Sequence, residues 1–230
     1  MVLSNLSGVT EKAAEIAATA AGLPEPLAAV FAASAGSVVG AYLQRRHQMV
    51  LEELGREMSK GRPWAIADDR AAAMALQINR AYQEGVAKLN VRLMAQFMFA
   101  EAAEPSLTGA VHRRNAEHLA SLSLEEMVMC AKFVALERLY KPLPATASNE
   151  EIQADKTARA RDFKSEIVPL FKSEDAAEGH GNSLLRTGWL RTLADWGGGF
   201  AYMPTPAFQP VARMVEFEAV ALEAASYGVE

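Results

Sequence analysis

The stretch "ASLSLEEMVMCAKFVAL", residues 120–136, constrains the fold more than any other. Ser123 stands where an N-cap belongs, Glu126 three residues on can close a capping box, and Leu122 can staple onto Met127 across the first turn. The helix so opened is apolar on nearly every side, with Val128, Met129, Cys130, Phe133, Val134, Leu136 and Leu139. A helix without a polar face must be surrounded, so it is expected at the centre of a core. A chain of 230 residues is long enough to build that core, in one large domain or two small ones.

The flanking sequence supplies further helices. Alanine is abundant, while tyrosine, threonine and isoleucine are scarce, which favours helix over sheet. A first helix is expected from about Thr10 to Ala21, stopped by Gly22 and Pro24. A long helical stretch then reaches about Lys60. In its second half Leu43, His47, Val50, Leu54 and Met58 form an apolar stripe, while Arg45, Arg46, Glu52, Glu53, Arg56 and Glu57 lie off it. His47 on that stripe reads as a structural histidine. The next helix carries Ile78, Tyr82, Gly85, Leu89, Leu93 and Phe97 on one face and a charged row of Arg80, Glu84, Lys88 and Arg92 on another. These two helices are expected to pair as an antiparallel hairpin, with Gly85 allowing close approach. Ser148 and Glu151 offer a second capping box after Pro142 and Pro144. The helix after it becomes amphipathic at Phe163, Ile167 and Phe171.

Near the C-terminus the pattern changes. "SEDAAEGHGNSLLRTGWLRTLADWGGGFAYMPTP" reads as a short helix after Ser173, a turn at "GHG" and a second short helix ending at Gly188. Strands "WLRTL" and "FAYMP" then flank a "DWGGG" turn. Trp189 and Leu193 are expected to face Phe200 and Tyr202 across the two strands. A last helix would carry Val211, Val215, Ala219 and Leu222, docking on the body or forming a dimer seam. The fold class is therefore mainly α: a long helical hairpin packed with further helices, plus a small C-terminal winged-helix-like α+β region with one β-hairpin. The expected division is 1–104 for the long helices and 105–230 for the rest.

At "RAYQEGVAKLNVRLMAQFM" (80–98), "HLASLSLEEMVMCAKFVAL" (118–136) and "LLRTGWL…AYMPT" (Leu184 to Thr205) the chain resembles bacterial abortive-infection alpha-type proteins, over roughly residues 70–215. The last portion has the form Leu-x-x-x-Gly-hydrophobic followed by Tyr-x-x-Thr. The resemblance implies a role in phage response or another prophage-linked function. It brings no catalytic residues.

The chemistry that the residues support is limited. His47, His112, His118 and His180 have neither a histidine at i+4 nor a Glu-x-x-His pattern, so no metal site and no cofactor is expected. "GHGNSL" is not a phosphate loop, no Gly-x-Ser-x-Gly elbow exists, and the single cysteine, Cys130, sits in the apolar helix. No catalytic residue is expected, and the chain reads as not an enzyme. The first-ranked reading is a non-catalytic interaction or regulatory protein with a protein partner or self-association. The alternative is a DNA-binding regulator, with Asn182, Ser183, Arg186 and Arg191 as the contact residues. Two arginines beside Glu174, Asp175 and Glu178, in a chain of net charge -5, are few for that task. A third reading is a membrane-associated defence protein. Residues 27–43 are uncharged over 17 positions and are followed by Arg45 and Arg46, although alanine, serine and glycine dilute the run. The N-terminus lacks the pattern of a signal peptide, so the expected location is the cytoplasm.

Overall fold

The computed structural model describes residues 40–61, 88–103, 107–140, 143–194 and 200–226. The expected helix at Thr10–Ala21, most of the uncharged run at 27–43, the positions Ile78, Arg80, Tyr82, Glu84 and Gly85, and the glycine turn at 195–199 lie outside them. Among the described residues there are eight α-helices and a two-stranded antiparallel sheet. The protein is mainly helical, with its small sheet near the C-terminus. The chain divides into two compact units, 1–121 and 122–230.

In the first unit, helix α1 (Gly40–Ser59) packs against α2 (Lys88–Ala103), and α2 packs against α3 (Gly109–Ala120). The apolar stripe holds at Val50 and Leu54 on α1 and at Leu89, Leu93 and Phe97 on α2, all buried. One expectation fails here. Glu53 and Glu57, placed off the stripe by their charge, are fully buried. Cations from two helices make this tolerable. The Glu53 carboxylate lies 2.9 Å from Arg56 and 3.8 Å from both Lys88 and Arg92, and Glu57 lies 2.9 Å from Lys60. A carboxylate can be buried when cations come with it. Helix α3 is held to α2 by Asn90, whose amide donates to the Leu119 carbonyl at 2.8 Å, and by stacking of His112 on Phe97 at 4.8 Å. The expected boundary at 104/105 would have separated these two helices.

The second unit is built around α4 (Leu124–Glu137). Ser123 and Glu126 form the capping box, and Met127, Met129, Cys130, Ala131, Phe133, Val134 and Leu136 are buried. Helix α5 (Asn149–Asp162) opens on the second capping box, Ser148 with Glu151. It is polar, burying only Ala160, and then changes pitch. Phe163–Ile167 form a π turn and Val168–Leu170 a 3-10 turn, with Pro169 at the junction lacking an amide hydrogen to continue the ladder. The change of pitch coincides with burial of Phe163 and Ile167, and Phe163 stacks on Phe133 at 6.2 Å.

Helix α6 runs unbroken from Glu174 to Leu185. The expected turn at "GHG" is absent, because Gly179, His180 and Gly181 are helical. Gly181 is there for close packing. A Cβ at that position would come within 2.4 Å of the Tyr202 ring. Strands β1 (Leu190–Ala194) and β2 (Phe200–Pro204) form the hairpin where the alternation placed them. The register differs from expectation. Leu193 pairs with Ala201, and Tyr202 pairs with Thr192, so Leu193 and Tyr202 lie on opposite faces. Both faces are covered: Leu193 and Ala201 are buried on one, Leu190 and Tyr202 on the other.

The expected last helix is two helices, α7 (Phe208–Met214) and α8 (Phe217–Ser226). Val215 between them is extended, with φ -120° and ψ 145°. The break shifts the helical phase, so Phe217 and Val220 face inward, while Ala219 and Leu222 are exposed. Helix α8 docks along α4. Phe208 and Phe217 pack on Trp189 at ring distances of 5.9 and 6.4 Å.

Candidate functional site

Two places in the second unit bear on function: the residues expected to touch DNA, and an open groove. Asn182, Ser183 and Arg186 lie in the last turn and C-cap of α6, and their polar atoms are engaged within the unit. The Tyr202 hydroxyl donates to Asn182 Oδ1 at 2.8 Å and bonds the Glu178 carbonyl at 3.1 Å. Arg186 donates to the Ser183 hydroxyl at 2.8 Å and to its carbonyl at 2.6 Å. Its guanidinium also bridges both carboxylate oxygens of Glu126 on α4, with the Nη2 contact at 2.9 Å. Arg191 is exposed on β1, beside Met203 of β2. The structure gathers Ser183 and Arg186 into one structural lock with Glu126, ties Asn182 to Tyr202 instead, and leaves Arg191 apart.

Glu126 is the centre of that lock. It closes the capping box, accepts the Ser123 amide at 2.8 Å and holds Arg186, while being almost fully buried. Burial pushes its carboxyl up. Hydrogen bonds from Arg186, Ser183 and Ser123, with the Arg186 charge, outweigh that and hold it below the ordinary 4.5. The residues of the Leu-x-x-x-Gly and Tyr-x-x-Thr pattern are structural as well. Leu184 is fully buried, and Gly188 turns the chain at φ +70°. The Thr205 hydroxyl donates to the Gly188 carbonyl at 2.7 Å, and its amide donates to the Trp189 carbonyl at 2.7 Å. Together they close the base of the hairpin.

The groove, of about 910 Å³, lies between the C-terminal end of α4, one side of α5 and helices α7 and α8. Its floor is apolar, with Val134, Phe208, Val215 and Phe217. Its walls are charged, and most of those charges are paired. Arg159 bridges Glu137 and Asp155, the latter at 2.8 Å, and lies over the Tyr140 ring at 4.2 Å. Arg138 meets Glu218 at 2.6 Å. The Tyr140 hydroxyl makes a short hydrogen bond to Asp162; burial and that bond push the phenol up to about 12. Arg213 on α7 is exposed and enters none of these pairs. Leu222 on the lip is 76% exposed, and Leu139, next to Arg138, is 77% exposed.

The sequence places Val215, Ala219 and Leu222 on one face of a last helix, docking on the body or forming a dimer seam, but carries no signal that Arg159, Phe208 or Phe217 would meet them. The groove draws single residues from positions 134 to 222, and no local spacing links them. Among the described residues no three His, Cys, Asp or Glu side chains come together as metal ligands, and no helix is long and apolar enough to cross a membrane. The fold and site define a mainly helical protein whose C-terminal unit carries an open, partly apolar groove. No family model matches the chain, nor does any curated protein or solved structure.

Proposed function

We propose that this is a non-catalytic interaction or regulatory protein, of bacterial or prophage origin and linked to phage response, that binds a protein through the groove of its C-terminal unit. The observation that carries the reading is an open groove with an apolar floor and Leu222 about three-quarters exposed on its lip. An isolated surface leucine is ordinary, but one that borders an apolar groove favours burial by a partner. An open trough also suits a protein segment better than a small molecule, which needs most of its surface enclosed. The link to phage rests on the resemblance to abortive-infection alpha-type proteins. The groove's walls are consistent with binding rather than chemistry, since Glu137, Arg138, Arg159 and Glu218 neutralise one another.

The test is photocrosslinking in cells, with a benzophenone amino acid at position 222 or 139 and a control at exposed Arg191. Protein adducts at 222 and 139 beyond the control are the expected result. Equal labelling at all three positions would remove the groove from consideration.

A further inference from the structure

The end of helix α1 carries one four-residue pattern twice. Residues 53–60 read "ELGREMSK", in which Glu57, Met58, Ser59 and Lys60 repeat Glu53, Leu54, Gly55 and Arg56 in kind. Four residues are close to one helical turn, so the second copy follows the first along the same face. Both glutamates are fully buried, and each pairs at 2.9 Å with the cation three residues on. The copies differ at the seam with α2. There Lys88 and Arg92, themselves one turn apart, both stand 3.8 Å from Glu53.

We infer that this seam is a ratchet with two stops: α2 slides along α1 by one turn, about 5.4 Å, so that Lys88 and Arg92 meet Glu57 in place of Glu53. The slide lies within the first unit and is independent of the groove. The present stop is loosely held. Both α2 cations stand beyond hydrogen-bond range of Glu53, and Glu53 Oε1 is buried without a hydrogen bond among the described residues. Buried charges that lack hydrogen bonds recover less of what burial costs them. The bond that Glu53 does make, to Arg56, is within its own helix and survives the slide. The second stop is sterically open. Met58 takes the place of Leu54, a swap of similar volume, and Ser59 takes the place of Gly55. A Cβ at Gly55 meets nothing within 4 Å, so the seam has room for the serine. Helix α3 travels with α2, tied to it by the Asn90 amide and by the stack of His112 on Phe97.

Pulsed electron-electron distance measurements on the full chain test the ratchet. Nitroxide labels go on cysteines introduced at exposed Gln48 of α1 and at exposed Ala110 or Glu117 of α3, in a Cys130→Ala background. The two positions on α3 are about 10 Å apart along the helix, so a slide along the seam changes at least one of the two distances by several ångströms. Glu53→Gln removes the charge that holds the first stop, and should move most molecules to a second distance. Glu57→Gln should leave the wild-type distance in place. Circular dichroism confirms folding, and a second variant serves if Glu53→Gln does not fold. Met58→Leu with Ser59→Gly makes the second copy match the first, and should bring the second distance to about half of the molecules. Either shift, absent in Glu57→Gln, supports the ratchet. One unchanged distance in every folded variant, or the same shift in Glu57→Gln, overturns it.

Discussion

Glu126 and Gly181 show how single residues hold the second unit together. Glu126 is ionised, buried and held by Arg186, so its folded pKa lies below that of the unfolded chain. The unfolded state therefore binds the proton more readily, and the stability that Glu126 contributes is present above about pH 4.5 and is lost as pH falls through its lowered folded pKa. Glu126→Gln should flatten the acid limb of a plot of melting temperature against pH. An unchanged acid limb would mean that other carboxylates govern it. Arg186→Ala leaves the buried carboxylate unpaired. Since the guanidinium is about 39% exposed, the cost should be about 2 kcal/mol in urea unfolding, below the full range for a buried pair. Gly181→Ala and Gly179→Ala form a second contrast. Both gain helix propensity, but a Cβ on Gly181 meets the Tyr202 ring while one on Gly179 meets nothing within 4 Å. Gly179→Ala should stabilise by about 0.5–1 kcal/mol. Gly181→Ala should destabilise by about 1–3 kcal/mol. Equal shifts in the two melting curves would rule out the ring contact.

At the scale of elements, local signals decided where helices and strands begin. Packing decided where they continue. Ser123 with Glu126 and Ser148 with Glu151 were legible as helix starts because a capping box is built within four residues. The strands were legible because β-periodic residues flank three consecutive glycines in the sequence. The unbroken α6 was not, since two glycines around a histidine read as a turn until the Tyr202 ring is seen against Gly181. Buried Glu53 was missed for the same reason: two of its cations, Lys88 and Arg92, come from α2, far along the chain. The shared capping motif also gives a graded prediction. Ser123→Ala should cost about 1 kcal/mol. Ser148→Ala should cost less, because the turn it opens is exposed and can fray. Chemical denaturation of the two variants measures the difference, and an equal cost would mean that both turns are held alike.

For the whole molecule, the described interior of the second unit centres on a helix that carries the chain's single cysteine. Cys130 has no exposed surface, and burial, reinforced by the Glu126 charge, pushes its thiol well above the ordinary range. A thiol so placed neither reaches solvent nor ionises while α4 stays packed. The protein thus contains its own unfolding clock, with no engineered probe. Brief exposure to a thiol-specific reagent under native conditions should leave Cys130 unlabelled in almost every molecule. The slow accumulation of label should report how often the core around α4 opens. Adding denaturant should accelerate labelling in step with the loss of helical circular dichroism. Fast labelling without denaturant would instead reveal a local opening at α4 that leaves the rest folded.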